Sequence, residues 1–236
     1  MGDLVGRIPT NGDDPMRLDE CRSTVQEAHD YLVRKGMEAV RRAFDVASTR
    51  YWGTEVKRVR VLLPKDEWPE IVSSETEEHN LVEVMNQCAT MERLLDALEW
   101  AQSVESGLSE SLVERCHPTT SSSYGDEDDH DLVLMGPDGT KAKFEISDVS
   151  GARDGNNKEK KDLISLGVLR EGKGDEMFSN EWPKGRLFLV VSEEFAGRLR
   201  KPGRAWLKGT TPHCHYNELA ARGTTRVFEV EKGTDL

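Results

Sequence analysis

The segment from Asp131 to Val149 restricts the fold of this chain more than any other. Asp131 to Met135 (DLVLM) is a short apolar run, Gly136 to Gly139 (GPDG) is strong turn chemistry, and Lys141 to Val149 is a second run of strand character. Proline presets φ for a turn and glycine supplies the positive φ that closes one, so the two runs are expected to pair as an antiparallel hairpin.

The flanking segments supply the rest of a mixed fold. The first eighteen residues carry Gly, Pro, Asn and Asp without periodicity and read as an arm. From Asp19 to Tyr51, Val25, Ala28, Leu32, Val40, Ala43, Phe44 and Ala47 approximate a helical stripe, with Gly36 the candidate break, so that the segment reads as a helical hairpin or one bent helix. Val59, Val61 and Leu63 alternate with Arg58 and Arg60, predicting a short strand over Glu55 to Leu63. Leu81, Val84, Met85, Cys88, Met91, Leu95 and Leu98 recur every three or four positions and predict an amphipathic helix to about Trp100. After the hairpin the pattern predicts a polar loop over Gly151 to Asn157, a helix from Lys158 to about Val168 and a buried strand over Leu187 to Val191. A helical stretch near Glu193 and a final strand over Arg226 to Glu231 complete the order.

The expected architecture is α/β or α+β, a mixed central sheet flanked by helices with an N-terminal helical region. The boundaries are an arm over 1–18, a helical region with a short strand over 19–75, and an α/β domain over 76–236. A chain of 236 residues with 36% hydrophobic content can bury such a core. No run approaches the roughly 18 apolar residues of a membrane span, and the N-terminus lacks the succession of a secretory signal, so a cytoplasmic protein without a membrane partner is expected.

The four cysteines form no CxxC pair and read as free thiols. His213, Cys214 and His215 are adjacent, a spacing that seldom puts metal ligands on one face, and read as a polar turn after Pro212. A net charge of −12 argues against a general positive field that coats nucleic acid. Basic residues nevertheless cluster from Arg34 to Arg60 and from Lys184 to Lys208. The acidic run Asp126 to Asp129 reads as a solvated loop.

Chemistry concentrates on the hairpin. Asp131 opens one strand and Glu145 lies within the next, so the turn between them brings both carboxylates to one end. Phe144 and Ile146 flank Glu145 and point to the opposite face, which makes its carboxylate costly to bury without a cation or a hydrogen-bond partner. Two converging carboxylates make an oxygen-rich site suited to Mg²⁺ or Mn²⁺.

These residues resemble the PD-(D/E)xK nuclease superfamily, the restriction-endonuclease-like fold. In that family an Asp at a strand start and an (Asp/Glu)-x-Lys on the following strand flank a metal-assisted cleavage site. The resemblance spans roughly Leu81 to Val191, with its helix, strands, helix, strand order. It implies that Asp131 and Glu145 hold Mg²⁺, that Glu99 on the preceding helix assists, and that DNA is the substrate, in DNA processing or defence. Ser147 stands where the family has its lysine, and Lys143, Lys158, Lys160 and Lys161 are the candidate replacements. A catalytically inactive accessory or regulatory protein on the same scaffold is the alternative, with self-association or a protein partner left open. The bland readings of the same residues are a strand-edge Asp131, an exposed Glu145 and a solvated first helical turn at Lys158 to Lys161.

Overall fold

The computed structural model describes residues 14–45, 75–116, 130–147, 155–170, 177–179, 181–200 and 214–233. In chain order its elements are β1 (Met16–Arg17), α1 (Leu18–Asp45), α2 (Glu75–Ala101), a 3₁₀ turn (Val104–Ser106), β2 (Leu112–Cys116), β3 (Leu132–Met135) and β4 (Lys141–Ile146). They continue with α3 (Gly155–Ser165), β5 (Leu169–Arg170), β6 (Met177–Phe178), β7 (Arg186–Ser192), α4 (Glu193–Leu199), β8 (Cys214–Arg222) and β9 (Thr225–Lys232). The strand expected over Glu55 to Leu63 lies outside the described residues.

The hairpin forms as its residues dictate. Gly139 N donates to Gly136 O at 2.9 Å and Gly136 N to Thr140 O at 2.8 Å, while Gly139 adopts φ +79°. Asp138 accepts from both the amide and the hydroxyl of Thr140, bonds that hold its carboxyl below the usual range. The register follows: Met135 pairs with Lys141 and Leu132 with Phe144.

β2, β3 and β4 are successive antiparallel neighbours. The chain then crosses through α3 and returns as β7, parallel to β4 with Phe144 beside Phe188 and Glu145 beside Leu189. β9 lies antiparallel to β7 and β8 to β9, while β1 pairs with β2 at the other edge. The described sheet therefore has seven strands in the order β1-β2-β3-β4-β7-β9-β8, with β5 and β6 as a separate pair. The α/β expectation holds in this form: a mixed sheet and four described α-helices.

β7 is buried on both faces, as a central strand should be. On one face Phe188 and Val190 join Phe144, Ile146 and the α2 residues Leu94, Leu98 and Trp100, together with Leu18, Cys21 and Val25 of α1. Phe144 and Phe188 stack at 4.5 Å, and Trp100 meets both rings edge-on. On the other face Leu187, Leu189 and Val191 pack with Leu163 and Leu166 of α3, Phe195 and Leu199 of α4, and Phe228 and Val230 of β9. Each fully buried Leu or Phe contributes about 2 kcal/mol by its removal from water.

Two details differ from the sequence expectation at the N-terminal end. Met16–Arg17 already pair with the sheet, inside the stretch expected to be an arm, and α1 shares its core with the sheet. No helix among the described residues is long and apolar enough to cross a membrane.

Candidate active site

At the edge where β4 and its parallel neighbour β7 both end, Ser147 N donates to Val190 O at 2.8 Å and continues their pairing by one step. The carboxyl ends of parallel strands open onto a crevice where open α/β sheets commonly bind ligands. Register places Asp131, just before β3, across from Glu145, because Leu132 faces Phe144.

The two carboxylates interlock the strands. Asp131 Oδ2 accepts from the amide of Ile146 at 2.6 Å, one residue past Glu145. Glu145 Oε1 lies 3.2 Å from Nδ1 of His130, one residue before Asp131. With the carboxylate ionised, Nδ1 is the donor of that bond, because an ionised carboxylate only accepts. The Ser165 hydroxyl, at the last residue of α3, donates to the same Oε1. His130 is 2% and Glu145 5% exposed, so neither bond competes with bulk water.

Glu145 projects from the sheet on the α3 side, since its neighbours Phe144 and Ile146 belong to the opposite core. α3 turns further acids inward: Glu159 and Asp162 are buried, and Tyr216 of β8 donates to Glu159 Oε1 at 2.9 Å. Among the described residues no group of three or more His, Cys, Asp or Glu side chains is arranged to hold a metal ion. Asp131 and Glu145 are the two carboxylates that the strand register brings to facing positions at this edge. Their chemistry fits Mg²⁺, which keeps several waters and commonly takes one or two carboxylates plus phosphate oxygens.

The candidate lysines separate by position. Lys143 is half-buried on β4, two residues before Glu145 and on the same face, across from Val133. Lys160 is half-buried and Lys161 exposed on α3. Lys158 belongs to α3, and its side chain lies outside those described. Ser147, at the family's lysine position, is fully buried. Glu99, expected to assist, instead pairs with Arg22 at 3.3 Å and Arg222 at 2.7 Å, and its helix covers the opposite face.

The basic clusters are partly spent on neighbours. Arg186 binds Glu229 through two nitrogens, and Arg200 joins Glu193 and Glu218. Most of the Arg34 to Arg60 cluster lies outside the residues whose side chains are described; Arg34 itself is exposed and stacks over Tyr31. His213 is likewise outside, and Cys214 and His215 alternate along β8 rather than sharing a face. All four cysteines are free thiols.

His130 and Ser165 were not legible as site residues. His130 follows an acidic run that reads as loop, and Ser165 belongs to an element twenty residues beyond Glu145 with no local pattern joining them. No family model, no curated protein and no solved structure matches this chain.

Proposed function

We propose that this chain is a metal-dependent nuclease of the PD-(D/E)xK type that cleaves phosphodiester bonds in DNA, in DNA processing or defence. The observation that carries the reading is the pair Asp131 and Glu145 on facing positions of adjacent strands, at the carboxyl ends of the parallel pair β4 and β7. Further support comes from the succession α2, then β2 to β4, then α3 and β7, the order the resemblance implies.

A buried carboxylate is a poor device for stability alone. Desolvating the charge costs several kcal/mol, and an apolar residue at the same core position generally serves a fold as well or better. In the proposed site Asp131 and Glu145 hold Mg²⁺ or Mn²⁺. The cation, when bound, polarises the scissile phosphate and lowers the pKa of an attacking water. An ammonium group is then needed to offset charge gathering on the phosphate oxygens. Lys143, on the same face of β4 as Glu145, and the α3 lysines Lys158, Lys160 and Lys161 are the candidates for it.

One observation favours the inactive alternative: Ser147 is sealed in the sheet where the family has its lysine. Plasmid nicking with Mg²⁺ or Mn²⁺ decides between them. The active reading expects nicking that falls by about a hundredfold or more in Asp131→Ala, Glu145→Ala and an alanine variant of one of those lysines, as loss of metal or charge-stabilising groups does. Thermal stabilisation by Mn²⁺ without nicking would favour the accessory role, and neither response would remove the metal site altogether.

A further inference from the structure

We propose that the Asp138–Gly139 peptide is a site of spontaneous backbone isomerisation, and that Thr140 sets its rate by holding the Asp138 side chain away from the reaction. An Asp–Gly pair is open to this chemistry because glycine places no side chain beside the attacking nitrogen. Both residues are exposed at the tip of the hairpin between β3 and β4, within reach of water.

In the reaction the Gly139 nitrogen gives up its proton and bonds to Asp138 Cγ, closing a five-membered succinimide. The hydroxyl of the protonated carboxyl leaves with that proton as one water. Water then adds back to one of the two ring carbonyls. Addition at Cγ restores aspartate. Addition at the backbone carbonyl carbon breaks its bond to the Gly139 nitrogen and routes the chain through Cγ, an isoaspartate with one extra backbone carbon. One water leaves and one returns, so mass is unchanged and no oxidant or co-reactant enters.

Three hydrogen bonds stand against that path. Gly139 N, the nucleophile, donates to Gly136 O at 2.9 Å. Asp138 Oδ1 accepts from Thr140 N at 2.9 Å and Oδ2 from the Thr140 hydroxyl at 2.8 Å. A carboxylate tied by both oxygens to the residue beyond Gly139 must release them before Cγ can meet the nitrogen. The same bonds, the Thr140 amide first and its hydroxyl second, favour the ionised carboxylate, whereas the leaving group requires the protonated form. The consequence reaches the sheet. Gly136 N bonds Thr140 O across this turn at 2.8 Å, and the pairing of Met135 with Lys141 and Leu132 with Phe144 follows from it. An added backbone carbon lengthens a loop whose ends that register fixes.

The test incubates the full chain at mildly acidic pH and physiological temperature, digests it with trypsin and measures isoaspartate at Asp138 by separating and fragmenting peptides of equal mass. Asp154–Gly155, the other Asp–Gly pair of the chain, is the internal reference in each digest. Thr140→Val, which removes the hydroxyl and keeps the shape, is expected to raise the rate at Asp138 by about fivefold, the weight of one hydrogen bond, with Asp154 unchanged. Thr140→Ser keeps the donor and should isomerise as wild type does. A synthetic peptide of residues 135–141 should isomerise on the order of 20-fold faster than the folded chain, since it lacks the bonds of both the nucleophile and the carboxylate. The proposal is overturned if Thr140→Val gains isoaspartate at Asp138 no faster than wild type, if Asp154 accelerates equally, or if the folded wild type matches the peptide. Should Thr140→Val not fold, Thr140→Cys, a weaker donor of similar size, takes its place and is judged by the same outcomes.

Discussion

Gly185 lies where β7 begins its parallel course beside β4, at φ +93°, and a Cβ built on it would fall 2.1 Å from the carbonyl oxygen of Lys141. Both the backbone conformation and the approach of the neighbouring chain exclude a side chain. Gly185→Ala should destabilise the protein by about 3 kcal/mol, the sum of positive-φ strain and overpacking. Gly197 in α4 has nothing within 4 Å of its built Cβ. Gly197→Ala should therefore stabilise by about 0.5–1 kcal/mol through helix propensity. Urea unfolding of both variants checks the pair, and a similar sign for both would contradict the geometry. Single residues were legible in the sequence only where a local rule bound them. Asp131 and Glu145 could be matched by counting outward from Gly136 to Gly139, because that turn fixes the register. The clash at Gly185, like the bonds of His130 and Ser165, depends on a strand distant in sequence and leaves no local sign.

At the scale of elements, α1 and α2 are pinned by His29. Its Nε2 lies 3.6 Å from Glu92 and its Nδ1 3.5 Å from Asp30, with the imidazole largely covered. The Glu92 carboxylate holds the His29 pKa above its ordinary value, against an opposing push from burial and with help from Asp30. A folded pKa raised above the unfolded value of about 6.5 gives stability that is fully present below that value and lost as pH rises through the folded pKa. Glu92→Gln should thus cost about 0.5 kcal/mol near pH 5.5 and distinctly less near pH 8.5, in the range of a partly exposed ion pair. Denaturant midpoints of wild type and variant at both pH values provide the check, and a gap that widened with pH would refute the assignment. The helices themselves were readable because a buried stripe repeats at helical spacing. β9 is readable from its buried Val227, Phe228 and Val230, whereas β8 carries no such run. As the sheet edge it leaves most of its residues exposed, and the register shift between Glu218 and Ala220 breaks the period of two that identifies a strand.

For the whole molecule, the organising fact is that β7 feeds both cores, Phe188 and Val190 to one face and Leu187, Leu189 and Val191 to the other. The sequence conveyed that Leu187 to Val191 is buried but not that two layers of helices depend on it, since an unbroken apolar run records burial without recording on which side each partner lies. The expected boundary between 75 and 76 rests on local pattern alone, whereas burial joins Leu18, Cys21 and Val25 of α1 with Phe144 and Phe188 in a single core. If that linkage governs stability, Val25→Ala on α1 and Leu189→Ala on the far face of the sheet should each destabilise the protein, by about 1–2 and about 3 kcal/mol respectively. In both variants the unfolding transitions followed by far-ultraviolet circular dichroism and by tryptophan fluorescence should coincide with each other, as they do for one cooperative unit. An early transition in Val25→Ala that left the remaining signal at the wild-type midpoint would mean that α1 unfolds alone and that the two faces of the sheet are energetically separate.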